Sequence, residues 1–182
     1  MMMRSSLRAV LSAGILSAAS VCAADSGFDA CILKRHNAER AIVGVPPLAW
    51  DAKLAADAAV WAKHLAATRR FEHSPDNAEA APQGENLWMG TARAYSPEDM
   101  VDGWIEERQY YRPGLFPKVT TTADWSDVGH YTQLIWRNTT QVGCALATGG
   151  GNDVLVCRYS PAGNWDGESP TGRAGIAVKR GH

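Results

Sequence analysis

The chain has 182 residues, is 46% hydrophobic and 20% charged, and carries a net charge of −1. That composition suits one globular domain with a sizeable core and excludes a disordered chain, because its seven Trp need burial or a partner. It offers no basic stripe of the kind that nucleic acid requires.

The first 23 residues read as a secretory signal peptide. Arg4 and Arg8 precede an uncharged run from Ala9 to Val21, and small residues follow at Val21-Cys22-Ala23-Ala24. A membrane span needs about 20 apolar residues, so this run is short for an anchor. Val21 is also a poor neighbour for a lipidated Cys22. Cleavage near Ala23 or Ala24 would remove both arginines and leave a more acidic chain. No second apolar run is long enough to cross a bilayer, so no transmembrane segment is expected in the mature chain. The expected location is secreted or periplasmic.

The domain is expected over residues 28–182. Residues 28–43 read as a first helix, ending before Gly44 and Pro46-Pro47, and Leu48-Ala49-Trp50 as a short extended piece. Asp51 starts an Ala-rich helix to about Arg69, with Leu54, Ala58, Trp61 and Leu65 on one face. Residues 72–95 carry Pro, Gly and Asn and read as loops. Ser96-Pro97-Glu98-Asp99 is a helix start, with a hydroxyl cap, Pro at the first position and acids in the first turn. That helix is expected to reach about Tyr111. A loop runs from Leu115 to Trp125, and Ser126 or Asp127 caps another helix through about Asn138. Strands follow at 140–147 and 153–159, and Ala174–Lys179 could add a third. Helices before an antiparallel sheet argue for an α+β fold with helices layered on the sheet.

There are four cysteines. Cys144 and Cys157 flank Gly149-Gly150-Gly151-Asn152, a hairpin turn signal. Counting back from the turn sets them opposite each other, where a disulfide is geometrically reasonable. Cys31 is then left as a free buried thiol or an intermolecular bridge, unless Cys22 survives cleavage.

Of five His, His182 is terminal and His64 is expected on the surface. His36, Asn37 and Arg40 read as a polar network tying the first helix to the loops, since buried polar groups need partners. His73 sits where a loop begins and His130 near a helix start, and a neutral imidazole is the form that holds a metal ion. Glu85 lies in the turn-like Gly84-Glu85-Asn86-Leu87. Met100, Trp104, Glu107 and Tyr111 share one helix face, so Glu107 needs a partner there, while Glu106 is rotated into solvent. Two His and two Glu could form a divalent-metal site with an open position, or an acid–base cluster. Their separate segments leave open whether they meet.

Five segments carry a resemblance: His36-Asn37 with Arg40, Gly84-Glu85-Asn86, Trp104 with Glu107, Gly129-His130-Tyr131-Thr132-Gln133, and Cys157 to Trp165. In this order they resemble the CAP superfamily of cysteine-rich secretory proteins, antigen 5 venom allergens and plant pathogenesis-related proteins. The match spans roughly residues 30–170 and is nearest to the single-domain, pathogenesis-related form. It implies a three-layer α-β-α sandwich with a central antiparallel sheet. It also implies a cleft lined by His73, Glu85, Glu107 and His130, in which His73 and His130 hold Zn²⁺ or another divalent cation. Ser74 follows His73 as in many relatives. Tyr131, Gln133 and Asn164 are expected to brace the cleft.

Three functions follow as expectations. The first is a secreted module that binds a lipid, such as a sterol or fatty acid, or an extracellular protein, with Leu115, Phe116 and Trp125 as contact candidates. The second is a zinc-dependent hydrolase or peptidase with Glu85 or Glu107 as base. A two-His set without a certain third ligand, and the lack of a His-Glu-x-x-His sequence, weigh against it. The third is a defence-like structural protein with a vestigial cleft.

Overall fold

The computed structural model describes residues 27–75 and 81–172. The expected signal peptide and the expected strand at Ala174–Lys179 lie outside these residues. The described chain runs α1 (Phe28–Val43), β1 (Ala49–Trp50), α2 (Ala52–Thr68), β2 (Gly84–Thr91), α3 (Pro97–Ile105), α4 (Gly129–Leu134), β3 (Gln141–Gly149) and β4 (Asn152–Ser160). Single 3₁₀ turns follow α3 at Glu106–Gln109 and precede α4 at Trp125–Val128.

The sheet order is β1-β3-β4-β2. β3, β4 and β2 are antiparallel, and the two-residue β1 joins the edge of β3 in parallel. Alternation along each strand sends side chains to two layers. Leu155, Cys144, Cys157 and Tyr159 pack with Ile32 of α1, Met100, Val101 and Trp104 of α3, and Tyr131 and Leu134 of α4. Leu87, Val154 and Val156 face Ala58, Ala62 and Leu65 of α2. The result is the expected α-β-α sandwich.

Local chemistry sets the helix ends. Asp51 caps α2 by accepting from Leu54 N at 2.8 Å. Ser96 and Asp99 form a reciprocal capping box at the start of α3. α2 lies close on the sheet because Gly143 has no side chain. A Cβ there would fall 2.2 Å from Ala55 N and 2.4 Å from Asp51 O.

Four expectations need correction. Residues 84–91 form the edge strand β2 rather than loop. α3 stops at Ile105, because Tyr110–Arg112 pair with Val119–Thr121 instead: Thr121 N donates to Tyr110 O and Arg112 N to Val119 O, both at 2.8 Å. Asp124, not Ser126 or Asp127, caps the turn before α4, accepting from Ser126 N at 2.9 Å. α4 then ends at Leu134, where Arg40 takes the carbonyls of Leu134 and Trp136 at 2.9 Å each and that of Thr139 at 2.9 Å. Those carbonyls turn towards a guanidinium rather than along a helix axis.

Cys144 and Cys157 are register partners and form a disulfide. Cys31 is buried and also disulfide-bonded, so it is not a free thiol. Its partner lies outside the described residues.

Candidate functional site

His73 lies in the loop after α2, which Trp61 anchors by donating its indole N–H to Glu72 O at 3.1 Å. His73 Nδ1 donates to Glu85 Oε1 at 2.7 Å, and Ser74 N donates to the same oxygen at 3.0 Å. The His73 side chain is 64% exposed and that of Glu85 only 7%. Glu85 is thus the second residue of a strand, with its side chain largely buried, rather than part of a turn-like segment. Its other oxygen stands 2.9 Å from Arg158 Nη2. The approach is an ion-pair contact outside hydrogen-bond geometry. Burial is the largest single influence on Glu85 and opposes its ionisation. The His73 hydrogen bond, the Arg158 charge and the Ser74 N–H together outweigh it, and the carboxyl sits below its ordinary range.

A second pair has the same form. His130 Nδ1 donates to Glu107 Oε1 at 2.6 Å, and Tyr131 N donates to Glu107 Oε2 at 3.0 Å. Glu107 comes from the 3₁₀ turn after α3 and His130 from the start of α4. Their side chains are 18% and 33% exposed. The His130 ring lies nearly parallel to that of Trp104, with centroids 6.2 Å apart. Behind them, Tyr131 Oη donates to buried Glu39 Oε1 at 3.0 Å, and Arg108 Nη1 reaches both Glu39 oxygens at 3.0 and 3.2 Å.

The first residues of β2 dock on α4. Asn86 Nδ2 donates to His130 O at 3.0 Å and to Tyr159 Oη at 3.2 Å. A Cβ on Gly84 would fall 2.0 Å from Gln133 Oε1, so only glycine lets the strand approach this closely. Tyr159 Oη donates to His36 Nε2 at 2.9 Å, and His36 Nδ1 donates to Ile32 O at 2.8 Å. Both ring nitrogens are thereby used with the imidazole neutral. Burial pushes the His36 pKa down to about 4; the Ile32 carbonyl opposes this and the Arg40 and Arg35 charges add to it.

The remaining candidates brace this frame. Asn37 exchanges two bonds with the Leu48 backbone, at 2.7 and 3.0 Å. Arg40 holds four carbonyls, counting Pro46 O at 2.7 Å, and burial lowers its pKa to about 10. Gln133 accepts from Gly163 N at 2.8 Å and donates to Thr139 Oγ1 at 3.2 Å. Asn164 accepts from Thr132 Oγ1 at 2.7 Å and donates to Gly129 O at 2.9 Å. Phe116 is buried with Val119, Val128 and Trp136, so of the three contact candidates Leu115 and Trp125 stay exposed.

Among the described residues, no three His, Cys, Asp or Glu side chains gather as a metal-holding group. The available donors are one Nε2 from each imidazole, because each Nδ1 is spent on a carboxylate. An imidazole held by a carboxylate through its other nitrogen is the usual support of a metal-binding His. Each imidazole thus presents Nε2 as its one unengaged ring nitrogen. Sequence reasoning gave no role to Glu39, Arg108, Arg158 or Tyr159. A usable signal existed for Glu39, which lies three residues after His36 on the same helix face.

Residues 33–159 match the family model described as the cysteine-rich secretory protein family. Pathogenesis-related protein 1A of Nicotiana tabacum is 41% identical over 139 residues, covering 76% of this chain and 77% of that protein. A pathogenesis-related protein of the PR-1 type from Sambucus nigra is 38% identical over 136 residues, covering 74% and 77%. The fold is similar to that of NaASP2, solved with Zn²⁺, at a TM-score of 0.62 and 24% identity, covering 82% of this chain and 89% of that one. It is also similar to a hookworm platelet inhibitor, at a TM-score of 0.62 and 19% identity, covering 79% and 74%.

Proposed function

This chain belongs to the cysteine-rich secretory protein family, and we propose that it is an exported binding module in which His73 and His130 hold a divalent cation, with zinc the best match. The relatives are pathogenesis-related proteins and the matching family is described as secretory, which supports an extracellular location.

One observation carries the reading. Both imidazoles give Nδ1–H to a carboxylate and keep Nε2 for a ligand, while both carboxylates are already engaged at both oxygens. Glu85 and Glu107 thus hold and orient the two imidazoles. Ser74 meets Glu85 through its backbone N–H. These features favour binding over hydrolysis. The bound cation would supply positive charge at the mouth of the site. Exposed Leu115 and Trp125 offer an apolar contact near α4, where the Trp125 ring packs on Gly129, and a lipid is the ligand class that suits them.

Calorimetric zinc titration of the mature chain tests the cation. Stoichiometric binding is expected, and its loss in His73→Ala/His130→Ala. A wild type that takes up no zinc would leave the two pairs as a hydrogen-bonded scaffold. Saturable uptake of labelled sterol or fatty acid, weakened by Trp125→Ala, tests the lipid; absence of saturable uptake with both probes removes it.

A further inference from the structure

Of the seven Trp, all among the described residues, only Trp125 and Trp165 are exposed, at 45% and 48%. Both lie in loops that the fold ties together. Asn164, beside Trp165, donates to Gly129 O at 2.9 Å, and the Trp125 ring packs on Gly129, 3.1 Å from where a Cβ would stand. Phe116 joins the same two loops. Its backbone exchanges 2.8 Å hydrogen bonds with Gly167 and Glu168, and its ring meets that of Trp125 edge-on, with centroids 5.1 Å apart. The Trp165 indole is held by its own N–H, which donates to Ala162 O at 2.9 Å. Two indoles fixed in water on adjoining loops add nothing to the core, and exposed apolar surface of this kind marks a contact site.

Charge says what they meet. Residues 115–129 and 162–168 carry four carboxylates, Asp124, Asp127, Asp166 and Glu168, against one basic side chain, Lys118. All four acids are exposed, and among the described residues none is in an ion pair. They flank the indoles in sequence, as Asp124-Trp125-Ser126-Asp127 and Trp165-Asp166-Gly167-Glu168. A neutral partner would leave these charges unpaired. A guanidinium satisfies both halves of the surface, because it stacks on an aromatic face and pairs with a carboxylate. We propose that the Trp125 and Trp165 loops form a docking surface for an arginine-bearing segment of an extracellular protein. The surface shares Trp125 with the lipid contact above and goes beyond it by giving the carboxylates a partner. It needs no bound cation.

The test is fluorescence anisotropy of a labelled peptide of five Arg-Ser repeats, titrated with the mature chain at physiological salt. EDTA is present, so that the outcome is independent of the cation reading. Saturable binding is expected. Trp125→Ala/Trp165→Ala keeps the charge and should weaken binding by about tenfold or more, as loss of buried aromatic anchors does. Asp127→Asn/Asp166→Asn/Glu168→Gln keeps both indoles and should weaken it by a similar factor; Asp124 is spared because it caps the turn before α4. A peptide of five Lys-Ser repeats should bind roughly threefold more weakly, since an ammonium lacks the planar fork. Thermal unfolding establishes that each variant is folded. In wild type itself, the Arg-Ser peptide should move two of the seven indole N–H signals in nitrogen-15 NMR, which Trp125→Phe and Trp165→Phe assign. Absence of saturable binding overturns the inference. So does wild-type affinity in the folded Trp double variant, equal affinity for the Lys-Ser peptide, or shifts confined to other indoles. Phosphatidylcholine vesicles bound in place of the peptide, and lost in the Trp double variant, would assign the surface to lipid instead.

Discussion

Glu39, fully buried on α1, accepts from Arg108 Nη1 at both carboxylate oxygens and from Tyr131 Oη at one of them. Arg108 directly follows Glu107, and Tyr131 directly follows His130. Two consecutive residues on the turn after α3 thus grip two consecutive residues of α4, once at the site and once behind it. The arrangement fixes how Glu107 meets His130 without touching any ligand.

Arg108→Met should therefore leave a buried carboxylate with one partner. The expected cost is about 1–3 kcal/mol, the penalty for an under-satisfied buried acceptor, kept low because Arg108 itself is half exposed. Urea unfolding measures it. Zinc binding should weaken in the folded variant as well; a destabilised protein with unchanged zinc affinity would show that the grip holds the fold but not the site.

His36 predicts an acid limb in stability. Its folded pKa of about 4 lies below the ordinary 6.5, so the unfolded chain binds the proton first. Stability from this group is complete above pH 6.5 and is lost as pH falls from there to about 4. The loss is about 3 kcal/mol by linkage. Glu85 acts in the same direction, but only below the ordinary carboxylate range. Urea midpoints of wild type and His36→Gln between pH 7 and pH 4.5 separate them: the slope should flatten in the variant, and equal slopes would contradict the assignment.

Arg40→Lys should not rescue Arg40→Met. A single ammonium cannot reach Pro46 O, Leu134 O, Trp136 O and Thr139 O with the fork of a guanidinium. Both variants should lose about 3–5 kcal/mol, as expected when a buried charged donor network is broken. Hydrogen exchange at residues 134–139 should quicken in both. Protection retained in Arg40→Lys would argue against the carbonyl cradle.

Replacing Cys144 and Cys157 together by Ala should cost about 3 kcal/mol, the loop-closure value for a span of this length. The zinc stoichiometry should not change, because the disulfide lies in the core beside Asn86 rather than at either imidazole. Loss of zinc binding in a folded variant would place the disulfide in the site's support.

Much of this was legible in the sequence because it is local. The α2 stripe of Leu54, Ala58 and Leu65, the Ser96 cap and the hairpin joining Cys144 to Cys157 each declare themselves within a few residues. β2 did not. Gly84, Glu85 and Asn86 give no apolar alternation at its start, and its register comes from pairing with β4. The length of α4 was not legible either, because it is cut by Arg40, 94 residues away from Leu134. The site shows the same division. His73, Glu85, Glu107 and His130 stood out by type and context, but Glu39, Arg108 and Arg158 matter only through partners on other elements.

In the proposed function, His73 and His130 each keep Nε2 free for one shared cation. Nitrogen-15 NMR of the two imidazoles, before and after one equivalent of zinc, tests it most directly. A proton on Nδ1 of both rings is expected in the free protein, and a shift of both Nε2 signals together on adding zinc. A proton on Nε2 of either ring, or a shift confined to one of them, would contradict it.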